Sequence, residues 1–259
     1  MLLIDKYAYI NQLRNVHPLE KMIFALSSLL VLLLVKQPLV TTFIFFSMSG
    51  MIIFAAKIPV QYYCKLLVTP IFFITTSAVS VLFSFTTDIG QLTTIIWYTD
   101  IFYFNIFISH SSLDTAVHLI ITAIGSISCL YFLILTTSIN EICTVLRKCR
   151  VPILLIELIE LTYQFIFIFL NSAHQIYIAQ NARLGYHSLK KSFQSLAILV
   201  TSLFQDVLYR SHALSIAIEA RCGNQYEVPI YFDEQKILNL YNWLYMLCYV
   251  FVLLYIATL

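Results

Sequence analysis

The sequence predicts an all-α integral membrane protein, and three observations carry that prediction. Hydrophobic residues make up 60% of its 259 positions and charged residues only 11%, where a soluble domain of this size needs roughly a quarter of its residues charged. The apolar residues gather into five runs, each near the roughly 20 residues needed to cross hydrocarbon. The Lys and Arg residues crowd into alternate connections between those runs, the pattern of loops kept on one side of a bilayer. The net charge of +2 says little by itself; the placement of the charges says more.

Taken in order, residues 1–17 read as an interfacial segment, with Tyr7 and Tyr9 among Lys6 and Arg14, aromatics and cations that both suit the headgroup region. Asp5, Lys6, Arg14 and Glu20 interrupt any continuous apolar core there, so no cleavable signal peptide is expected. His17-Pro18 opens the first span, because proline is tolerated at the first helical position, and it runs to about residue 35. The second covers about 38–56 and is closed by Lys57-Ile58-Pro59. The third covers about 66–85, with Pro70 near its start as a kink. The fourth covers about 115–139 and the fifth 237–259.

Five crossings from an inward-facing N-terminus put Lys6, Arg14, Lys21, Lys57 and Lys65 in the cytoplasm, along with the insert between spans four and five, and Lys36 is the exception. The loop 87–114 has no Lys or Arg, only Asp88, Asp100 and Asp114, and falls outside. Its β-branched and aromatic run, TTIIWYTDIFYFNIFIS, fits a small extracytoplasmic β-hairpin broken at Thr99-Asp100; a partly buried loop or an interfacial helix fits as well. The chain thus divides into 1–139, a cytoplasmic insert 140–236, and 237–259.

The insert contains three helical pieces. The first, 138–149, ends in Arg147, Lys148 and, just beyond, Arg150. Pro152 starts the second, which runs to about Arg183 and carries Glu157, Glu160, Gln164, Asn171 and Gln175 on one polar stripe. The third has a start signal at Ser188. In it Phe193, Leu196, Val200, Leu203, Val207, Leu214, Ala217 and Ile218 return every three or four residues, with Lys190, Lys191, Gln194, Asp206 and Arg210 elsewhere around the wheel, so it is amphipathic. Each of the two long pieces closes on an Ala-Arg pair, Ala182-Arg183 and Ala220-Arg221, with a glycine two residues further on, Gly185 and Gly223. A cation suits the negative end of a helix and its side chain can reach a partner beyond the last turn. Simple dipole capping is the plainer reading of the same arginines.

Catalytic and metal chemistry finds no constellation. His-Glu-x-x-His, a Gly-rich phosphate loop, a Gly-x-Ser-x-Gly elbow and Asp-rich metal motifs are absent. The six histidines (His17, His110, His118, His174, His187, His212) are scattered and read as surface or interfacial. The six cysteines (Cys64, Cys129, Cys143, Cys149, Cys222, Cys248) show no paired spacing and read as reduced thiols. No catalytic residue, metal ligand, cofactor or nucleic-acid partner is expected. Glu157 and Glu160 leave one alternative open, a proton relay in a self-contained carrier.

Several stretches together resemble a known family: Asp5 to Arg14 followed by VHPLEK at 16–21, Lys57-Ile58-Pro59, Arg150-Val151-Pro152, LTYQFIFIFL at 161–170, NARLGY at 181–186 and IEARCG at 218–223. Over nearly its full length the chain is similar to the transmembrane T component of energy-coupling factor transporters, in the CbiQ branch associated with cobalt uptake. The resemblance implies that Ala182, Arg183, Leu184 and Gly185, and Ala220, Arg221, Cys222 and Gly223, form paired signatures that end two coupling helices. These would dock in grooves of two ATP-binding-cassette ATPase subunits, while a CbiM-like membrane subunit binds the substrate. Leu184 and Cys222 stand where the family usually has glycine, and Gln164 where related chains tend to carry arginine. Cobalt is the implied substrate, with nickel or a vitamin as alternatives.

Overall fold

A computed structural model of the chain describes residues 3–35, 37–82, 84–86, 95–101, 104–220 and 240–258. Among these, the helices are α1 (Leu3–Ile10), α2 (Pro18–Leu34), α3 (Pro38–Gly50), α4 (Val60–Leu82), α5 (His110–Thr136), α6 (Ile139–Lys148), α7 (Ile153–Ala182), α8 (Leu189–Ala220) and α9 (Leu240–Thr258). A 3-10 turn occupies Gln12–Asn15, and α3 runs into a π turn at Met51–Ala55. Three strands, β1 (Ser84–Thr86), β2 (Ile95–Ile101) and β3 (Phe104–Ser109), form an antiparallel sheet in the order β1-β3-β2. The chain forms two compact units, Met1–Ile142 with Lys236–Leu259, and Cys143–Gln235.

In the first unit α5 is the central helix, packing on α1, α2, α3 and α4. Glycine makes room for side chains of its neighbours. A Cβ on Gly125 would stand 2.8 Å from Leu32 Cδ1 and 3.0 Å from Thr41 Cγ2, so a side chain there would force the Leu32 and Thr41 methyls to shift. The core contains Phe24, Leu32, Ile44, Met48, Phe132 and Leu135, with Phe24 set edge-on to Phe132 at 5.6 Å between ring centroids. Interior hydroxyls are joined to one another: Ser49 meets Tyr63 at 2.9 Å, Tyr63 donates to Ser128 at 3.3 Å, and Ser128 donates back to the Ile124 carbonyl at 3.0 Å. In hydrocarbon an unpaired hydroxyl has no water to turn to.

Length and apolarity suffice for crossing a membrane in Pro38–Ala55, Val60–Leu82 and Ser112–Thr136, which coincide with three expected spans. Ile153–Ala182 also suffices, although the sequence places it in the insert. The first expected span, α2, has 17 residues, about 25 Å at 1.5 Å per residue. The third begins earlier than its hydrophobicity suggested. Helix α4 starts directly after Pro59, and Pro70 lies in its middle. Proline cannot donate to the carbonyl four residues back; Tyr131 of α5 supplies that donor instead, its hydroxyl bonding Leu66 O at 3.0 Å. Strands β2 and β3 fall in the run for which a hairpin was one expectation and pair from Ile101↔Phe104 to Ile95↔Ser109. Thr99 and Asp100, expected at the break, are paired residues within β2, and β1 precedes the run.

Polar residues of this unit are buried too, Lys21 and His17 among them. Lys21, one of the cations expected on the cytoplasmic side, bonds to the α5–α6 junction. His17, read as interfacial, is buried as well, and its Nδ1 accepts the Leu19 amide at 3.1 Å, capping α2. Both are spent on helix ends, whose backbone groups need partners wherever water is excluded.

Candidate functional site

The candidate site is the corner between α7 and α8, which carries the first Ala-Arg pair. Helix α7 ends at Ala182, and Arg183 is its C-cap. Leu184 then adopts the left-handed conformation, φ 57°. The Gly185 amide returns to Gln180 O at 2.9 Å and the Leu184 amide to Asn181 O at 3.0 Å, the two bonds of a Schellman motif. This explains the glycine usual at that position on the family pattern. The requirement is conformational, since a residue with a Cβ pays about 1 kcal/mol or more to sit there.

Gly185 answers to space. A Cβ there would lie 2.7 Å from Ser195 Oγ and 2.9 Å from Gln180 O. The gap is filled by a knot of side chains: Ser195 donates to Gly185 O at 2.9 Å, Gln180 Nε2 to Ser195 O at 3.0 Å, and Tyr186 OH to Gln180 Oε1 at 2.7 Å. The Tyr186 ring rests 4.9 Å from that of Tyr177. Further from the corner Ser172 of α7 donates to Asp206 of α8 at 3.0 Å, and Arg210 Nε reaches both carboxylate oxygens at 3.0 Å. Arg210 holds the Asp206 carboxyl below the usual carboxylate range, and Ser172 adds to the effect. The two helices are therefore tied antiparallel at the corner and again some three turns along.

The knot fixes the direction of the corner and leaves its outer residues free of it. Ala182 and Arg183 are exposed, and Leu184, Leu189 and Phe193 are 65%, 83% and 73% exposed. From Glu160 to Asp206 the only charged residues are Arg183, Lys190 and Lys191, so the tip is cationic and apolar at once. Sequence reading found Arg183 and Gly185 but not Gln180, Ser195 or Tyr186, which have no spacing signature. The Asp206–Arg210 pair, at i and i+4, was legible as a pair though not as a tie to Ser172.

Ala220, the last residue of α8, opens the second signature; Arg221, Cys222 and Gly223 lie outside the described residues. On α7, Glu157 is exposed and Glu160 half-buried. Burial pushes the Cys143 thiol up, with the Glu160 carboxylate adding to the effect and Arg147 opposing it. Among the described residues no three His, Cys, Asp or Glu side chains gather where they could hold a metal ion, and Cys64, Cys129, Cys143, Cys149 and Cys248 are free thiols.

Comparison with known proteins places these features in context. A family profile described as cobalt transport protein, CbiQ, matches residues 11–230. An uncharacterised protein of Methanocaldococcus jannaschii is 30% identical over 221 residues, 85% of this chain and 80% of that one. A protein of Methanocorpusculum labreanum named as a fused cobalt transport protein, CbiMQ, is 32% identical over 224 residues, and this chain covers 36% of its length. The cobalt transport protein CbiQ of Salmonella typhimurium is 25% identical over 218 residues, 84% of this chain and 95% of that one.

Proposed function

The chain belongs to the CbiQ family of cobalt transport proteins, and on that premise we propose that it is the coupling subunit of an ATP-driven cobalt importer of the energy-coupling factor type. Its apolar helices make it a multi-pass membrane protein. The proposed orientation puts the N-terminus and the α6–α8 insert in the cytoplasm. ATP is hydrolysed on two partner ATPase subunits, since the chain has no phosphate-binding loop. The substrate is selected by a separate membrane subunit. The fused relative supports a CbiM-like identity for it, because its name joins CbiM and CbiQ in one polypeptide.

One observation carries the reading. Helix α8 is an unbroken rod of 32 residues, about 48 Å long, with an Ala-Arg pair just before its start and another at its end. Two Ala-Arg pairs that flank so long a helix in the sequence suit two like partners better than one ligand. Arginine is permanently charged and presents a planar fork of donors, so each tip can pair with a carboxylate in a partner's groove. When nucleotide brings the ATPases together, the rod carries the displacement to the membrane.

Arg183→Glu combined with Arg221→Glu is expected to leave the chain inserted in the membrane and to abolish copurification of the ATPase subunits. Undiminished copurification would overturn the proposal.

A further inference from the structure

Among the described residues, α6 is the connection from the bundle into the second unit: Ile139–Ile142 belong to the first and Cys143–Lys148 to the second. Helix α5 stops at Thr136 and α6 starts at Ile139, leaving carbonyls and amides at a break where little water reaches. Two side chains from the N-terminal segment close it. Lys21 Nζ donates to Thr136 O at 3.0 Å and to Glu141 Oε2 at 3.4 Å, and its side chain is 1% exposed. Asn11 Nδ2 bonds Leu135 O at 3.1 Å and Thr136 O at 3.3 Å. Ser138 and Glu141 cap each other across the first turn of α6, at 3.3 and 3.4 Å, the reciprocal arrangement of a capping box.

A swivel would show the opposite character, with backbone bonds open to water and few buried contacts. Here one ammonium grips the last turn of α5 and the first turn of α6 together, and a buried charge released from its partner has nowhere favourable to go. We propose that the α5–α6 break is a rigid elbow and that Lys21 is a positioning residue for energy transfer. It fixes the angle at which displacement of α6 enters α5, the helix against which α1 to α4 are packed. Without Lys21 the break bends and the motion is lost there. This rests on the coupling reading above.

The test is cobalt uptake and ATP hydrolysis measured together in proteoliposomes holding the full complex, with wild type, Lys21→Met, Glu141→Gln and the double variant. Only preparations with wild-type ATPase content are compared. Lys21→Met is expected to lower cobalt moved per ATP hydrolysed by tenfold or more. Glu141→Gln, which leaves the Lys21–Thr136 bond in place, is expected to lower it about threefold, and the double variant no further than Lys21→Met. An unchanged ratio in assembled Lys21→Met complexes overturns the elbow. If that variant does not assemble, an unchanged ratio in Glu141→Gln does the same. A wild-type chain that holds no ATPases sinks the coupling reading and this inference with it.

Discussion

The two units of this chain bury their residues very differently. The bundle encloses a contiguous core from Phe24 to Leu253 and joins the hydroxyls of Ser49, Tyr63 and Ser128 to one another. In α7 and α8, which together contain 62 residues, Ile156 and Ser195 are the only buried side chains. The α7–α8 pair is tied at points, by the Gln180–Ser195–Gly185 knot and the Ser172–Asp206–Arg210 link, rather than along a packed seam. The bundle is therefore stabilised by what it contains, and the arms depend on what covers them.

Core truncation gives the largest contrast. Leu135→Ala, at a fully buried position of the bundle, is expected to cost about 2 to 4 kcal/mol, the range for a leucine cavity. Phe193→Ala on α8 is expected to change the stability of the isolated chain by less than about 0.5 kcal/mol. SDS-titrated unfolding of the purified chain measures both, and similar costs for the two would erase the distinction.

The corner provides a smaller effect of opposite sign. Leu184→Gly removes the Cβ from a left-handed residue and is expected to raise the stability of the α7–α8 hairpin by about 1 kcal/mol. Amide exchange around Gly185 should slow accordingly. Faster exchange there would show that the leucine side chain makes a contact worth more than the backbone strain.

Acidification gives the smallest. Because the Asp206 carboxyl is held below its ordinary value, the unfolded chain takes up the proton first. The link's contribution is complete above the ordinary carboxylate range, near pH 4, and is lost as pH falls through the lowered value. Spin labels on α7 and α8 should therefore report an unchanged separation between pH 7 and 5, and a wider distribution only below about pH 4. Widening between 7 and 5 would assign the link to another group.

What was legible in the sequence follows the same division. Long apolar runs and the Pro18, Pro38 and Pro152 starts were enough to place most helices, because periodicity and proline act locally; Pro59 was read only as the close of the second span, although α4 starts directly after it. The bounds of α7 and α8, and Arg183 and Gly185 at the corner, were readable for the same reason. Lys21, Asn11 and His17 were not. Leu135, Thr136 and Glu141, the partners of Asn11 and Lys21, lie more than a hundred residues away, and a cation beside a hydrophobic run looks the same whether it faces water or a buried carbonyl. His17 caps its own helix through Leu19, two residues on, and was read only as surface or interfacial. Tyr131 was hidden likewise, since nothing local says that it answers the gap left by Pro70. Leu184 was seen as a departure from glycine, but only the backbone reveals that the departure is one of handedness.

The uncovered leucines and phenylalanines of α7 and α8 also bear on how the protein is made. A newly synthesised copy waiting alone offers quality-control proteases and neighbouring copies the same oily surface it offers its proper companions. On the proposed assembly, cells would gain by producing all its subunits together and in proportion, and orphan copies should be short-lived.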